Sequence, residues 1–411
     1  MKININVIGL GFVGLTTALG FSEKKIKTIC VEKDLLRLRK IKNGSIPFEE
    51  PHLKNILKKN LLRKNLLFSN IPILEKNAIN VIFICVGTPS NQDGSINLKH
   101  VENVILNLNR SVNNERVLIV IKSTVLPGTI SKKLIKLINK KNITICSNPE
   151  FLREGYAWQD FINTDKIVIG YQNKDDLKIL RNIYKNFNGD LVSDSTDTAE
   201  FIKYLSNSLL GNLISFSNEL TIIGEKNKNV NIKKSFNAVK LDKRWFGYPA
   251  MISTYLHPGL GYGGYCLPKD ISAMNFMSKK SNIKNGMINS TNHINKLIFH
   301  HQTKKILDQF KKNEKIAVLG VSFKPGSDDI RGSKSVEVIK YLLKKGYKKI
   351  YTFDPSVKKD YLKTISKKII HSNKLSNDHS QNYILCTSWP KYIKFLRENK
   401  KLNFIDFRYQ V

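Results

Sequence analysis

Two periodicities alternate along this chain. Short runs rich in Val, Ile or Cys, each bounded by Gly, Pro, Asn or Ser, recur at 3–8, 27–31, 80–86, 116–121, 143–146 and 166–169, with helical spacing between most of them. Strands apolar on both faces and separated by helices predict a parallel sheet covered on both sides. From Asp197 the pattern changes. Asp197 and Glu200, three apart, predict a capping box that opens a long helix through Leu220 and on to Glu225. Helical spacing then dominates to about residue 310, broken by a Gly- and Tyr-rich stretch over 245–270. After Asn313 the alternation returns, with strands expected at 315–320, 349–353, 383–386 and 403–407. The expected fold class is α/β: two doubly wound parallel-sheet domains, 1–196 and 311–411, joined by a central helical domain, 197–310.

Composition narrows the function classes. Charged residues at 25% and hydrophobic residues at 41% of 411 are ordinary for a globular protein and exclude wholesale disorder. The longest apolar run, 81–86, is far below the ~18–20 residues that span a bilayer, so no membrane partner is expected. Met1-Lys2-Ile3 leads directly into a strand, without the basic, apolar and small-residue order of a targeting peptide. Five scattered cysteines form neither a disulfide framework nor a metal site, which suits a reduced, cytoplasmic protein. A net charge of +35 is the footprint expected of a nucleic-acid binder. Here, however, arginine is the minor basic residue and the lysines are spread along the whole chain. Abundant Asn and Ile point to a codon bias, and no nucleic-acid partner is expected; binding to nucleic acid or to an anionic surface is the alternative.

The candidate chemistry gathers at strand ends. Gly9-Leu10-Gly11-Phe12-Val13-Gly14 follows the first strand and opens a helix. This is the dinucleotide fingerprint of a Rossmann domain, with glycines for a tight turn and helix N–H groups facing a pyrophosphate. Glu32 ends the second strand, where an acid grips the adenosine ribose and repels a 2′-phosphate, so NAD is expected rather than NADP. Gly87-Thr88-Pro89 and Lys122-Ser123-Thr124 close further strands at the same edge; a hydroxyl there either orients a ligand or water, or caps a helix. Glu150 and Glu154, in Asn148-Pro149-Glu150-Phe151-Leu152-Arg153-Glu154-Gly155, are either site carboxylates or a surface pair with Arg153. Lys203 and Asn207 share a helix face with Glu200 and Gly211 near the same stripe. They either stabilise a developing oxyanion or form a solvated face.

The sharpest feature is Pro258-Gly259-Leu260-Gly261-Tyr262-Gly263-Gly264-Tyr265-Cys266-Leu267-Pro268-Lys269-Asp270. Its glycines allow close approach of backbone to a ligand. Pro268 fits the first position of a helix, which would put Cys266 just before the helix N-terminus and near Lys269, two influences that favour a thiolate. Cys30, Cys85, Cys146 and Cys386 lie in strands, where a small thiol is packing. Cys266 is therefore either a nucleophile or one more buried cysteine. A hydride-acceptor site with a cysteine, a lysine and a carboxylate fits oxidation through the aldehyde level.

With Phe323-Lys324-Pro325-Gly326-Ser327-Asp328-Asp329-Ile330-Arg331, these ordered motifs resemble the UDP-glucose/GDP-mannose dehydrogenase family over nearly the full length. The resemblance implies two Rossmann-like domains around a helical one, NAD on the first, a nucleotide sugar between first and last, and a homodimer through the central helices. It implies Cys266 as nucleophile, Lys203 and Asn207 as oxyanion stabilisers, Glu154 as acid and base for thioester hydrolysis, and Thr124 and Asp270 as organisers of the water. NAD would contact Gly9, Gly11, Val13, Gly14, Glu32, Arg37, Thr88, Thr124, Glu154, Lys269 and Arg331. The sugar nucleotide would contact Glu150, Phe151, Leu152, Arg153, Glu154, Lys203, Asn207, Tyr255, Leu256, His257, Pro258, Gly259, Gly263 and Lys324. Arg244 would join them, from a stretch with one residue more than the family's D-x-R-I-G. Glu32 stands where the family often has Asp, and Arg37 where Lys is common. Tyr265 and Leu267-Pro268-Lys269-Asp270 match the UDP-glucose branch, which implies oxidation of UDP-glucose to UDP-glucuronate. The alternatives are GDP-mannose or another nucleotide sugar as substrate and, in a different class, a non-catalytic dinucleotide-binding protein that would need neither Cys266 nor Lys203.

Overall fold

The computed structural model describes residues 2–225, 228–242, 257–280, 286–375 and 382–411. They form two compact units, Met1–Ser206 and Asn207–Val411, and the helix Thr196–Glu225 runs through the boundary.

The first unit holds eight strands: β1 (Ile3–Ile8), β2 (Thr28–Val31), β3 (Leu66–Ser69), β4 (Ile79–Ile84), β5 (Arg116–Ile121), β6 (Ile143–Ser147), β7 (Lys166–Gly170) and β8 (Asp190–Asp194). Their order is β3-β2-β1-β4-β5-β6-β7-β8. The inner strands are buried on both faces, as their unbroken apolar sequences require. The order reverses between β1 and β4, and ligands of open α/β sheets bind outside the carboxyl ends at such a reversal. Register aligns Ile8 of β1 with Val31 of β2 and Ile84 of β4, so Gly9, Glu32 and Gly87 emerge at one edge.

Four expectations need correction. The sheet is not wholly parallel, because β6 and β7 meet antiparallel at Ser147 and Gly170. Three strands lie outside the expected set: β3, β8 and, in the second unit, β11 (Ile370–Ser372). All are sheet edges with exposed or half-buried positions along them, so they lack a continuous apolar run. Asp197 and Glu200 do not form a capping box. The long helix starts at Thr196, Thr198 N–H donates to Ser195 Oγ at 3.1 Å, and the Glu200 carboxylate instead accepts the N–H groups of Gly128 (2.6 Å), Thr129 (3.2 Å) and Ile130 (2.9 Å). Finally, helix Cys266–Lys280 begins at Cys266 itself, so Pro268 is its third residue, still within the turn whose N–H groups need no helical partner.

The second unit places the helices Ile232–Lys240, Cys266–Lys280 and Met287–Gln309 before a parallel sheet of β9 (Lys315–Leu319), β10 (Lys349–Phe353), β11, β12 (Asn382–Leu385) and β13 (Asn403–Asp406), in the order β11-β10-β9-β12-β13. Its first turn repeats that of the first unit. Gly320 N–H donates to Phe353 O at 2.7 Å as Gly9 N–H does to Val31 O at 2.8 Å, and both glycines have positive φ. The acids after the second strands differ in use. Asp354 is fully buried and accepts from Val321 N, Ser322 N, Ser322 Oγ, Ser356 N, Val357 N and Trp389 Nε1. Its loop consumes its acceptor capacity, which leaves the dinucleotide fingerprint of the first unit without a counterpart in the second. Among the described residues no helix is long and apolar enough to cross a membrane, and no three His, Cys, Asp or Glu side chains are grouped to hold a metal ion.

Candidate active site

The edge of the first sheet is built to receive a dinucleotide. Gly9 turns with φ 90°, and a Cβ on Gly14 would stand 1.8 Å from Gly9 O, so the helix approaches the turn as only glycine permits. A Cβ on Gly11 would meet nothing within 4 Å, and the helix Phe12–Glu23 has neither a side-chain cap nor an acid in its first turn. Open space before uncapped N–H groups suits a pyrophosphate. Val13 lies in that turn. Glu32 is 5% exposed; its carboxylate accepts Leu10 N–H at 3.0 Å and Asp34 N–H at 3.1 Å, with Arg37 at 3.5 Å. Thr88 Oγ1 donates to Thr124 O at 2.9 Å and Ser123 Oγ to Val86 O at 2.6 Å, tying the loops after β4 and β5 together. The nearby helix Thr129–Lys132 has Gly128 at its N-cap, so neither Ser123 nor Thr124 is a capping residue.

The loop after β6 carries the paired carboxylates. Glu150 is buried; it accepts Leu152 N–H at 2.6 Å and pairs with Lys203 at 3.1 Å, both side chains being nearly inaccessible. The Phe151 ring lies under two cations, Lys166 at 4.4 Å and Lys203 at 5.4 Å. Arg153 pairs with Asp160 at 2.6 Å on the following helix. Glu154 is half-buried just before Gly155, which has φ 86°. Both ends of the loop are anchored by residues for which the motifs imply no role. Lys122 Nζ and Tyr184 OH donate to Asn148 Oδ1 at 3.0 and 2.5 Å, while Glu50 accepts the N–H groups of Gly155 and Ala157, each at 2.8 Å. Lys203 is thus no solvated lysine.

In the second unit Cys266 is exposed in the first turn of its helix, with Lys269 one turn on. The other cysteines differ: Cys30, Cys146 and Cys386 are buried and Cys85 half-buried, and burial raises all four thiols, Cys30 and Cys85 to about 12. Lys269 and Asp270 form a buried ion pair of 2.7 Å, and Asn207 Nδ2 donates to the other Asp270 oxygen. The glycine loop is fastened by buried asparagines: Asn218 accepts Gly259 N–H at 2.9 Å, and Asn295 accepts Tyr262 N–H at 2.7 Å. A Cβ on Gly263 would stand 2.4 Å from Gly332 O, and one on Gly259 2.9 Å from Arg408 Nη1. Arg331 lies over the Tyr265 ring at 4.9 Å and pairs with Asp329 at 2.6 Å, while Lys324 lies over Phe323. His257, next to the buried Pro258, meets Lys240 Nζ at 3.0 Å and Arg408 O at 2.5 Å; burial and the Arg408 and Lys240 charges push it down to about 3. Arg244, Tyr255 and Leu256 lie outside the described residues.

Three family profiles match the chain in order: the NAD binding domain of the UDP-glucose/GDP-mannose dehydrogenase family over residues 3–188, its central domain over 197–297 and its UDP binding domain over 317–410. The chain belongs to the UDP-glucose/GDP-mannose dehydrogenase family. It is 35% identical to a UDP-glucose 6-dehydrogenase of Rickettsia conorii over 95% of this chain and 90% of that one. It is also 30% identical to a GDP-mannose 6-dehydrogenase of Pseudomonas aeruginosa over 90% of this chain and 85% of the other. Among solved structures, a UDP-glucose dehydrogenase from Pyrobaculum islandicum superposes with a TM-score of 0.88 at 28% identity, covering 99% of this chain and 94% of that one. The protein is accordingly an NAD-dependent nucleotide-sugar dehydrogenase, and the cradle at Gly9–Gly14 with Glu32 fits that cofactor. Glu50, Lys122, Glu200 and Asn295 touch motif backbone or motif side chains, yet none lies beside its target in the chain, so the spacing of residues gives no signal for these contacts.

Proposed function

We propose that the protein oxidises UDP-glucose at its sixth carbon to UDP-glucuronate, in a four-electron course through Cys266. The observation that carries this is the contrast among its thiols: Cys266 alone is exposed, and it opens a helix, where the N-terminal dipole and Lys269 favour a thiolate. When bound, NAD supplies a hydride acceptor for each of two successive oxidations. Loss of a proton and a hydride turns the sugar alcohol into an aldehyde. The Cys266 sulfur then bonds to the aldehyde carbon, and Lys203 and Asn207 stabilise the oxyanion that forms. Loss of a second proton and hydride from this thiohemiacetal leaves a thioester. Glu154 takes a proton from a water held by Thr124 and Asp270, the water oxygen bonds to the acyl carbon, and the C–S bond breaks to release the acid and the thiol.

Several features support the assignment of roles. The Lys203 ammonium is held by buried Glu150, and Asn207 is oriented by Asp270, itself paired with Lys269. UDP-glucose is favoured by the relatives named for it, and a second reading, GDP-mannose, by the Pseudomonas relative. The residues 1–196 would hold NAD, 197–310 the nucleophile and dimer face, and 311–411 the nucleotide. The long helix exposes Phe201, Leu205, Leu209, Phe216 and Leu220 at helical spacing, an apolar stripe suited to a second copy of the chain. A thiol nucleophile in a chain whose cysteines form no disulfide suits the cytoplasm. The test is turnover with NAD and a panel of UDP- and GDP-sugars, with NADH counted at completion. Two NADH per UDP-glucose are expected, with acid formation abolished in Cys266→Ala and trapped enzyme in Cys266→Ser, whose ester hydrolyses more slowly than a thioester. A 1:1 ratio, or acid formed by Cys266→Ala, would remove the thioester course; a higher kcat/KM for GDP-mannose would replace the substrate.

A further inference from the structure

Glu200 stands on the long helix one turn before Lys203, with 2% of its surface exposed, and the reaction above gives it no task. Its Oε2 accepts the N–H groups of Gly128 at 2.6 Å and Thr129 at 3.2 Å, and its Oε1 accepts that of Ile130 at 2.9 Å. The sequence of the loop it grips explains why these donors need an outside acceptor. Leu126-Pro127-Gly128-Thr129 is a β-turn closed by Thr129 N–H on Leu126 O at 3.0 Å. Gly128, at φ 82° and ψ 6°, fits the third position of a type II turn, and Pro127 the second. The turn's own bond does not use the Gly128 N–H. The short helix Thr129–Lys132 that follows has no side-chain cap, because its N-cap residue is that glycine. Gly128, Thr129 and Ile130 are all buried, so N–H groups left open there would also be cut off from water.

The same loop carries Thr124. On the β5 side it is tied to the end of β4: Ser123 Oγ donates to Val86 O at 2.6 Å and Ile84 O at 3.2 Å, and Thr124 O accepts Thr88 Oγ1 at 2.9 Å. Four residues after Thr124 the long helix takes hold through Glu200. One turn further along that helix, Lys203 pairs with Glu150 at 3.1 Å. Successive turns of one helix thus hold the loop after β5, which bears the Thr124 hydroxyl, and the loop after β6, which bears the site carboxylates. A carboxylate suits the first task because both of its oxygens accept. An amide in its place would present an NH2 group to at least one of the three N–H donors.

We propose that Glu200 is a positioning residue of the active site: it caps the helix after the Thr124 loop in place of the side chain that Gly128 lacks, and so fixes the Thr124 hydroxyl for thioester hydrolysis. This rests on the reading of Thr124 as a holder of the attacking water. Both hydride transfers precede the entry of that water. Loss of Glu200 therefore leaves them in place and slows the step in which the water oxygen bonds to the acyl carbon and the C–S bond to Cys266 breaks.

The test is rapid mixing of the full-length enzyme with saturating NAD and the nucleotide sugar it turns over best. NADH is followed with time, and the mass of acid-quenched enzyme is read beside it. Glu200→Gln should give a burst of about two NADH per active site at the wild-type rate. A steady rate about tenfold below wild type should follow, the worth of a charge-assisted hydrogen bond, with the acyl adduct accumulating on Cys266. A merely structural role would lower both phases together, through loss of active enzyme, and leave their ratio at the wild-type value. That outcome, or an unchanged steady rate, overturns the proposal. Should Glu200→Gln not fold, Glu200→Asp decides, since it keeps the charge and draws the carboxylate back by one methylene: a lowered ratio of steady to initial rate supports the proposal and a wild-type ratio refutes it. Thr124→Val separates the two failures. No adduct in Thr124→Val overturns the reading of Thr124 and the proposal with it; an adduct there but none in Glu200→Gln overturns the proposal alone.

Discussion

The Glu150–Lys203 pair offers a way to separate what Lys203 does for the fold from what it does for the reaction. Both side chains are nearly inaccessible, 7% and 5% exposed, and their charged atoms are 3.1 Å apart. Removing one partner of a buried pair leaves the other charge uncompensated, at about 3–5 kcal/mol. In Lys203→Met the orphaned carboxylate keeps Leu152 N–H at 2.6 Å and faces Lys122, so the loss should fall near the lower bound, roughly 3 kcal/mol. In Glu150→Gln the orphaned ammonium keeps the Phe151 ring at 5.4 Å and an amide oxygen, which again points to roughly 3 kcal/mol. At about 2–4 °C per kcal/mol for a unit of some 200 residues, each single variant should melt roughly 6–12 °C below wild type in calorimetry of the full chain. The double variant carries neither charge and should regain about 1–3 kcal/mol of the summed loss. Turnover should not follow stability. If the Lys203 ammonium meets a developing oxyanion, kcat falls on the order of a hundredfold in Lys203→Met and stays there in the double variant. A double variant no more stable than the sum of the singles would refute the coupling, and one that recovers turnover along with stability would reduce Lys203 to a structural role.

Three further outcomes follow from particular atoms. Gly14→Ala places a Cβ 1.8 Å from Gly9 O and should lower both melting temperature and NAD affinity, whereas Gly11→Ala, with nothing within 4 Å, should leave melting untouched and weaken NAD about tenfold or more in titration calorimetry; unchanged NAD binding in Gly11→Ala would show that the space is not the cofactor's. Wild-type initial rates should favour NAD over NADP and Glu32→Gln should narrow the gap, since the carboxylate repels a 2′-phosphate; equal efficiency in wild type would refute that use of Glu32. His257 has its native pKa pushed down to about 3 from 6.5, so between those values the unfolded chain binds a proton that the native chain does not. Its contribution is complete above the upper value and is lost as the pH falls through that window, so His257→Gln should flatten the acid side of a plot of urea midpoint against pH; parallel plots would contradict it.

Local chemistry was legible in the sequence wherever a motif carries its own geometry. The fingerprint Gly9–Gly14 needs only a strand before it and a helix after it, and Cys266 sits at a helix start because the glycines before it cannot continue one. The strands buried on both faces were legible for the same reason, as runs of apolar residues with no solvent face to interrupt them. The edge strands β3, β8 and β11 were not, because exposed positions along them interrupt the apolar run. Glu200 shows the limit most plainly. Its spacing from Asp197 satisfied a capping rule, yet its carboxylate accepts N–H groups some seventy residues away. The same holds for Glu50 on Gly155 and Ala157, and for Lys122 on Asn148. Sequence determines which groups must be satisfied when buried; chain topology alone decides which partners are within reach, because hydrogen bonds and ion pairs depend on distance in space and are indifferent to distance along the chain.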